Sequence, residues 1–256
     1  MGHRRVAIVT GSASGLGVQT VLGLAGQGYD IVINYRKNGE RAAELKAQVE
    51  ALGVRCLTVQ ADISQEEGCQ RLVAETRSAF ASIDILVNNA GPYIFEHKKM
   101  TEYTSDEWHQ MLNGNLSSVF YLCKEIIPMM RRQHWGRIIT FGFTQSNQAA
   151  GWPGRSAYAA AKVGVVSLTR TLAQEEADAG ITVNMICPGD ITGEHKEMTI
   201  AAAEAAVQNA QGAQRRFGVG EDIARVVRFL CTPEADFITG AIVDVNGGLT
   251  LEQIVT

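Results

Sequence analysis

The chain has 256 residues, 46% of them hydrophobic and 20% charged, which is globular composition with enough length to bury one large core. A net charge of -4 without a clustered basic surface argues against nucleic acid or an anionic membrane as partner. Cys56, Cys69, Cys123, Cys187 and Cys231 are spaced too widely and irregularly for a disulfide framework or a metal cluster. They read as reduced core residues, and no metal site is expected.

The basic N-terminus runs into an apolar stretch that Gly11 cuts far short of a signal h-region, and no stretch approaches the roughly 20 apolar residues that span a bilayer. A cytoplasmic protein is expected. That first apolar stretch, Val6 to Thr10, reads instead as a β-strand, and a glycine-rich turn follows it into a helix over Val18 to Ala25. Further β-branched runs come at Ile31 to Asn34, Val54 to Val59, Ile83 to Asn88, Arg137 to Phe141, Thr182 to Cys187 and Ala241 to Val245. Between them lie segments of helical spacing, such as Leu45, Val49 and Leu52, or Cys69, Leu72, Thr76 and Phe80. The alternation predicts an α/β fold: a single domain over 1–256 with a doubly wound parallel sheet of about seven strands and helices on both faces. The rhythm breaks between Cys187 and Glu221, after the sixth strand, where ligands bind in such folds; a substrate lid is expected over 190–216.

The turn after the first strand carries Gly11, Ser12, Ser14, Gly15, Leu16 and Gly17, a spacing that lets backbone N–H groups and a helix N-terminus approach a pyrophosphate. At the end of the second strand an acidic residue would bind a free ribose 2′-hydroxyl and a basic one a 2′-phosphate. Tyr35 stands there, followed by Arg36 and Lys37, so NADP(H) is favoured over NAD(H). Tyr158 and Lys162 lie four residues apart in a segment, Ser156 to Ala179, that reads as helix, which puts them on one face. A phenol titrates near 10, and a cation one turn away would stabilise its phenolate.

With Asn88 to Gly91, Asn115, Pro188 with Gly189, and Asn246 to Gly248, these motifs resemble the short-chain dehydrogenase/reductase family over essentially the whole length. The chain looks most like the branch of Rossmann-type enzymes that includes 3-oxoacyl-acyl-carrier-protein reductases. The resemblance implies that Tyr158 exchanges a proton with a carbonyl or alcohol substrate while Lys162 holds the nicotinamide ribose. It implies that Asn115 organises a proton-relay water, that Asp62 and Ile63 flank the adenine, and that Asn89, Ala90, Gly91, Pro188 and Gly189 back the cofactor. It also implies a homodimer or homotetramer, for which Ala157, Ala159, Ala160, Ala161 and Gly164 offer a small-residue surface; the same residues would equally serve to pack beneath the cofactor.

The family normally places a serine thirteen residues before the tyrosine to hydrogen-bond the substrate carbonyl. Counting back from Tyr158 reaches Gln145, whereas aligning forward from Gly136 reaches Phe143, so the loop Thr144 to Ser156 carries an insertion. Thr144 is the expected substitute, with Ser146 and Gln145 as the other nearby polar groups. Thr192 and Gly193 also depart from the family pattern, and Asp190 puts a negative charge beside the substrate space. A small carbonyl or alcohol compound is the expected partner. Acyl carrier protein is less favoured, since the basic Arg131, Arg132 and Arg137 are opposed by Glu175, Glu176 and Asp178. The missing serine keeps open the alternative of a non-catalytic nucleotide-sensing or scaffold protein.

Overall fold

A computed structural model describes residues 4–207 and 216–255. Seven strands form one parallel sheet: β1 (Val6–Val9), β2 (Asp30–Tyr35), β3 (Cys56–Gln60), β4 (Ile85–Asn88), β5 (Gly136–Phe141), β6 (Ile181–Pro188) and β7 (Ile242–Val245). All seven expected strands are present, in the order β3-β2-β1-β4-β5-β6-β7 with every neighbouring pair parallel.

The central strands are buried on both faces, so successive side chains enter two different cores. Ile8, Val32, Leu86, Ile138 and Val183 face α3 (Glu66–Ala79), α5 (Ser118–Gln133) and α6 (Ser156–Glu175) through Leu72, Leu122, Ile126 and Val165. Their chain neighbours Ala7, Ile31, Ile33, Val87 and Ile139 face α1 (Leu16–Ala25), α2 (Gly39–Ala51) and α8 (Gly220–Leu230) through Leu24, Leu45 and Val227. All five cysteines are buried and free.

The strand order reverses between β1 and β4, the crevice where α/β sheets of this kind take ligands. Parallel pairing sets Val9 beside Val87, so the turn at Gly11 and the segment Asn89 to Gly91 leave the sheet side by side. The helical continuation after β4 runs through α4 (Ser105–Leu112), a π-helical turn over Asn113–Ser117, and α5. After β6 come a 3₁₀ turn (Gly193–Glu197) and α7 (Ile200–Val207), and the chain closes with α9 (Leu251–Val255). The expected lid lies partly outside the described residues, at 208–215.

Two surface expectations are corrected. Arg137 is not part of a basic face: it is 1% exposed, with its guanidinium 4.4 Å from the Trp135 ring centroid and donating to the carbonyls of Gly136, Gly180 and Thr232. Arg131 donates two hydrogen bonds to the buried carboxylate of Glu176, at 2.6 and 2.5 Å, so its charge is already neutralised. Of the small residues of α6, Ala157, Ala159 and Ala161 are buried and a Cβ on Gly164 would lie 3.1 Å from Leu116, so these pack within the protomer, whereas Ala160 is exposed.

Candidate active site

The glycine-rich turn is built by close backbone approach. Gly11 has φ +57, and a Cβ there would come within 2.7 Å of the Ala90 Cβ. Asn89 Nδ2 donates to the Thr10 carbonyl at 2.8 Å, and the Ala90 N–H donates to Thr10 Oγ1 at 3.0 Å, which ties the two ligand-facing segments together. Ser12 is not on the surface of this turn; it is fully buried, and its hydroxyl donates to the Val9 carbonyl. Gly17 meets Ser12 from the other side, leaving no room for a side chain: a Cβ would lie 2.6 Å from the Ser12 Cα. Gly11, Ser14, Gly15 and Leu16 line a cavity of about 510 Å³, together with Asn89 to Gly91, Pro188 and Gly189.

A second cavity of about 400 Å³ adjoins the first along Gly11, Ser14, Ala90 and Gly91. Tyr35, Arg36, Lys37, Asp62 and Ile63 all line it, so the structure brings together every residue expected at the adenosine end. Arg36 lies 3.8 Å from the Asp62 carboxylate, a loose and half-exposed pair. Lys37 has no ion-pair partner among the described residues.

Tyr158, Lys162 and Asn115 converge at the floor of the first cavity. Lys162 sits one helical turn after Tyr158 with its Nζ 5.7 Å from the phenol ring centroid. Neither the Tyr158 hydroxyl nor the Lys162 Nζ makes a hydrogen bond to another described residue, which leaves both free to meet a ligand. Burial pulls Lys162 down to about 8 from the ordinary lysine value. The expected lowering of Tyr158 by Lys162 is not found: burial holds its phenol above the usual tyrosine range, and Tyr93 and Cys187 add to the effect. Desolvation outweighs an ammonium that approaches the ring without reaching the hydroxyl.

Asn115 sits in the π-helical turn, an irregularity that swings its amide inward. Its Nδ2 donates to the carbonyls of Pro92 at 2.9 Å and Met111 at 3.0 Å, while its Oδ1 is buried with no partner. A Cβ on Gly91 would meet that Oδ1 at 2.2 Å and the Lys162 Nζ at 3.5 Å, so Gly91 is the point at which the two groups converge.

The inserted loop sorts its three polar candidates. Gln145, with φ 64, is turned away: its N–H donates to Asp244 and its Oε1 accepts from the Leu251 N–H. Ser146 Oγ is buried against Cys187 Sγ at 3.2 Å and Met185 Sδ at 3.8 Å. Thr144 reaches the cavity wall, but its hydroxyl donates to the Pro188 carbonyl at 3.2 Å. Phe143 takes the place beside the tyrosine, its ring 6.2 Å from that of Tyr158 and 5.0 Å from that of Trp152.

Several lining residues went unseen in the sequence. Tyr93, Trp152, Arg155, Leu251 and Ile254 complete the walls of the first cavity. Pro153 and Gly154, which stand between Trp152 and Arg155, marked only a loop. Lys196 and Glu197 follow β6 and close over the glycine-rich turn, where Gly15 N–H donates to Glu197 Oε1 at 2.8 Å and Arg41 pairs with the other carboxylate oxygen. Asp190 and Thr192 also line the cavity.

The family model described as Enoyl-(Acyl carrier protein) reductase matches residues 11–250. The chain is 46% identical over 247 residues to the Bacillus subtilis (strain 168) protein named "Putative oxidoreductase YtkK", covering 96% of this chain and 97% of that one. The chain belongs to the short-chain dehydrogenase/reductase family. It is also 36% identical to the 3-oxoacyl-[acyl-carrier-protein] reductase FabG of Staphylococcus epidermidis, over 95% of this chain and 98% of the relative. Among solved structures, acetoin dehydrogenase YohF from Salmonella typhimurium superposes with a TM-score of 0.85 at 31% identity, covering 96% and 95% of the two chains. As a short-chain dehydrogenase/reductase, the protein is an oxidoreductase acting on a CH–OH/C=O pair.

Proposed function

We propose that the protein is an NADPH-dependent reductase of a small, uncharged carbonyl compound, with Tyr158 as proton donor. The observation that carries this is the pair of uncommitted groups, Tyr158 hydroxyl and Lys162 Nζ, on one helical face at the floor of a cavity continuous with the glycine-rich turn. The chain's own groups fit a dinucleotide. Gly11, Ser14, Gly15 and Leu16 would hold the pyrophosphate, Tyr35 to Lys37 the adenosine ribose, Asp62 and Ile63 the adenine, and Pro188 and Gly189 the nicotinamide. Bound there, the reduced dinucleotide supplies a hydride to the carbonyl carbon. Tyr158, which burial keeps protonated at neutral pH, delivers the proton to the carbonyl oxygen. Lys162 holds the ribose, and the unpartnered Asn115 Oδ1 accepts from a water that returns a proton toward Lys162. Phe143, Trp152, Leu251 and Ile254 exclude water and favour an apolar substituent on the substrate.

The segment 190–216 acts as a substrate lid in this reading, and the protein is a cytoplasmic single-domain homodimer or homotetramer. Tested against a panel of aliphatic and aryl ketones with both dinucleotides, the protein should oxidise NADPH with at least one of them. Tight NADPH binding with no turnover across the panel would favour the non-catalytic alternative, for which Phe143 in place of a hydroxyl is the one supporting observation.

Two predictions concern the cofactor. Arg36→Ala should weaken NADPH by about 1.5–3 kcal/mol while leaving NADH nearly unchanged, because a charge-assisted bond to a 2′-phosphate is lost. Equal losses in fluorescence titrations of both dinucleotides would remove the assignment. Glu197→Gln should tighten both dinucleotides about two- to fivefold, since its carboxylate sits on the Gly15 N–H among donors that suit phosphate. An unchanged Kd in the same titrations would show that the carboxylate does not compete.

A further inference from the structure

The reductase reading leaves one function without an owner: a second hydrogen bond to the substrate carbonyl, which the family takes from a serine and this chain cannot take from Phe143. Thr144 has spent its proton on Pro188, Ser146 faces sulfur behind the cavity, and Gln145 is tied to the C-terminal segment. Another hydroxyl-bearing residue lines the same cavity. Tyr93 leaves the sheet just past Gly91, and its ring meets that of Tyr158 edge-on with centroids 5.0 Å apart. Phe95 and Trp152 pack against its other sides at 5.2 and 6.4 Å, so the ring is boxed in.

The Tyr93 hydroxyl accepts from Arg155 Nε at 2.7 Å. Arginine offers no lone pair, and no described residue accepts the Tyr93 proton, which is therefore available to a ligand. Arg155 is itself 5% exposed and pairs with no carboxylate among the described residues; its other N–H groups donate to the backbone carbonyls of Phe95, Glu96 and Gly154. A buried cation with only neutral acceptors polarises the phenol it touches, which makes the O–H a stronger donor.

We propose that the Tyr93 hydroxyl, polarised and held by Arg155, donates the second hydrogen bond to the substrate carbonyl and stabilises the charge that develops on its oxygen. Tyr93 keeps its proton throughout. The proton that ends on the product alcohol comes from Tyr158, and the hydride with its electron pair enters at carbon, so the balance of the reaction is unchanged. Arg155 is a positioning residue that acts through Tyr93. The proposal rests on the reductase reading but has its own test.

Wild type, Tyr93→Phe, Thr144→Val, Arg155→Lys and the Tyr93→Phe/Arg155→Lys double variant are compared for NADPH affinity, for turnover of the best ketone in the panel, and for ketone binding to the NADP⁺ complex by calorimetry. Acetophenone is the ketone used if none is turned over. Tyr93→Phe keeps the boxed ring and should lower kcat by about 10²–10³, the range for one lost oxyanion-type donor, with NADPH affinity unchanged. Thr144→Val should stay within about threefold of wild type, and Arg155→Lys should add little to Tyr93→Phe, since groups acting through one bond are non-additive. A Tyr93→Phe enzyme within threefold of wild type overturns the proposal, as does a full, additive loss from Arg155→Lys in the double variant. If wild type reduces no ketone, the reductase reading fails on its own. The calorimetry then decides the contact: weaker ketone binding by Tyr93→Phe sustains it, whereas equal binding, or none by wild type, overturns it.

Discussion

Tyr158→Phe is expected to lower turnover by about 10²–10⁴, the range for a lost general acid, while leaving NADPH affinity within about twofold of wild type. The substitution removes one oxygen and preserves a ring that packs against Tyr93, Phe143 and Trp152, so the cavity should keep its shape. The hydroxyl makes no hydrogen bond to the described residues, which means that its loss strands no partner. Steady-state kinetics with the best panel ketone, set beside fluorescence titration of NADPH, separates the two effects. Turnover above a tenth of the wild-type value would move the proton donor elsewhere. Lys162→Met should differ by damaging dinucleotide binding as well as turnover.

Lys162→Met is also expected to stabilise the free protein at pH 7, by about 3 kcal/mol. A shift from the ordinary 10.5 to about 8 is the cost of holding an ammonium in a buried site, at 1.36 kcal/mol per pH unit. Lys162 is only 4% exposed, so solvent screens little of this. The groups that face it are Tyr158 and Cys187, both protonated at neutral pH, and neither supplies a compensating negative charge. The sign follows from linkage. Below about pH 8 the lysine is charged in both folded and unfolded chains, and the penalty is present in full. Between about 8 and 10.5 the unfolded chain binds more protons than the folded one, so stability recovers as pH rises; above 10.5 the penalty is gone. Urea melts of wild type and variant across this range should therefore converge with rising pH. Parallel curves would show that Lys162 is solvated in the folded protein. The site thus carries a stability cost, as is common where a charge is kept for function.

The amino-acid pattern alone determined the fold and named the residues that line the second cavity, because both are written in short-range periodicities. Runs such as Val6 to Val9 and Ile85 to Asn88 are buried on both faces and need no distant information to be read as parallel strands. The glycine-rich turn and the four-residue spacing of Tyr158 and Lys162 are local in the same sense: one needs backbone without side chains, the other a single helical turn.

What the tertiary structure decided lies in pairs of residues far apart in the chain. Arg137 reads as a surface cation until Trp135, Gly180 and Thr232 are seen around it. The close packing of Gly164 against Leu116 depends on where the π-helical turn lies, and the upward shift of Tyr158 depends on burial that no spacing reveals. The carbonyl-facing wall is the clearest case. Gln145 is removed from it by the N–H of Leu251, 106 residues away, and Tyr93 is brought into it by Arg155, 62 residues away. Loops obey no period, and their side chains are aimed by whichever distant donors and acceptors the packed sheet brings within reach.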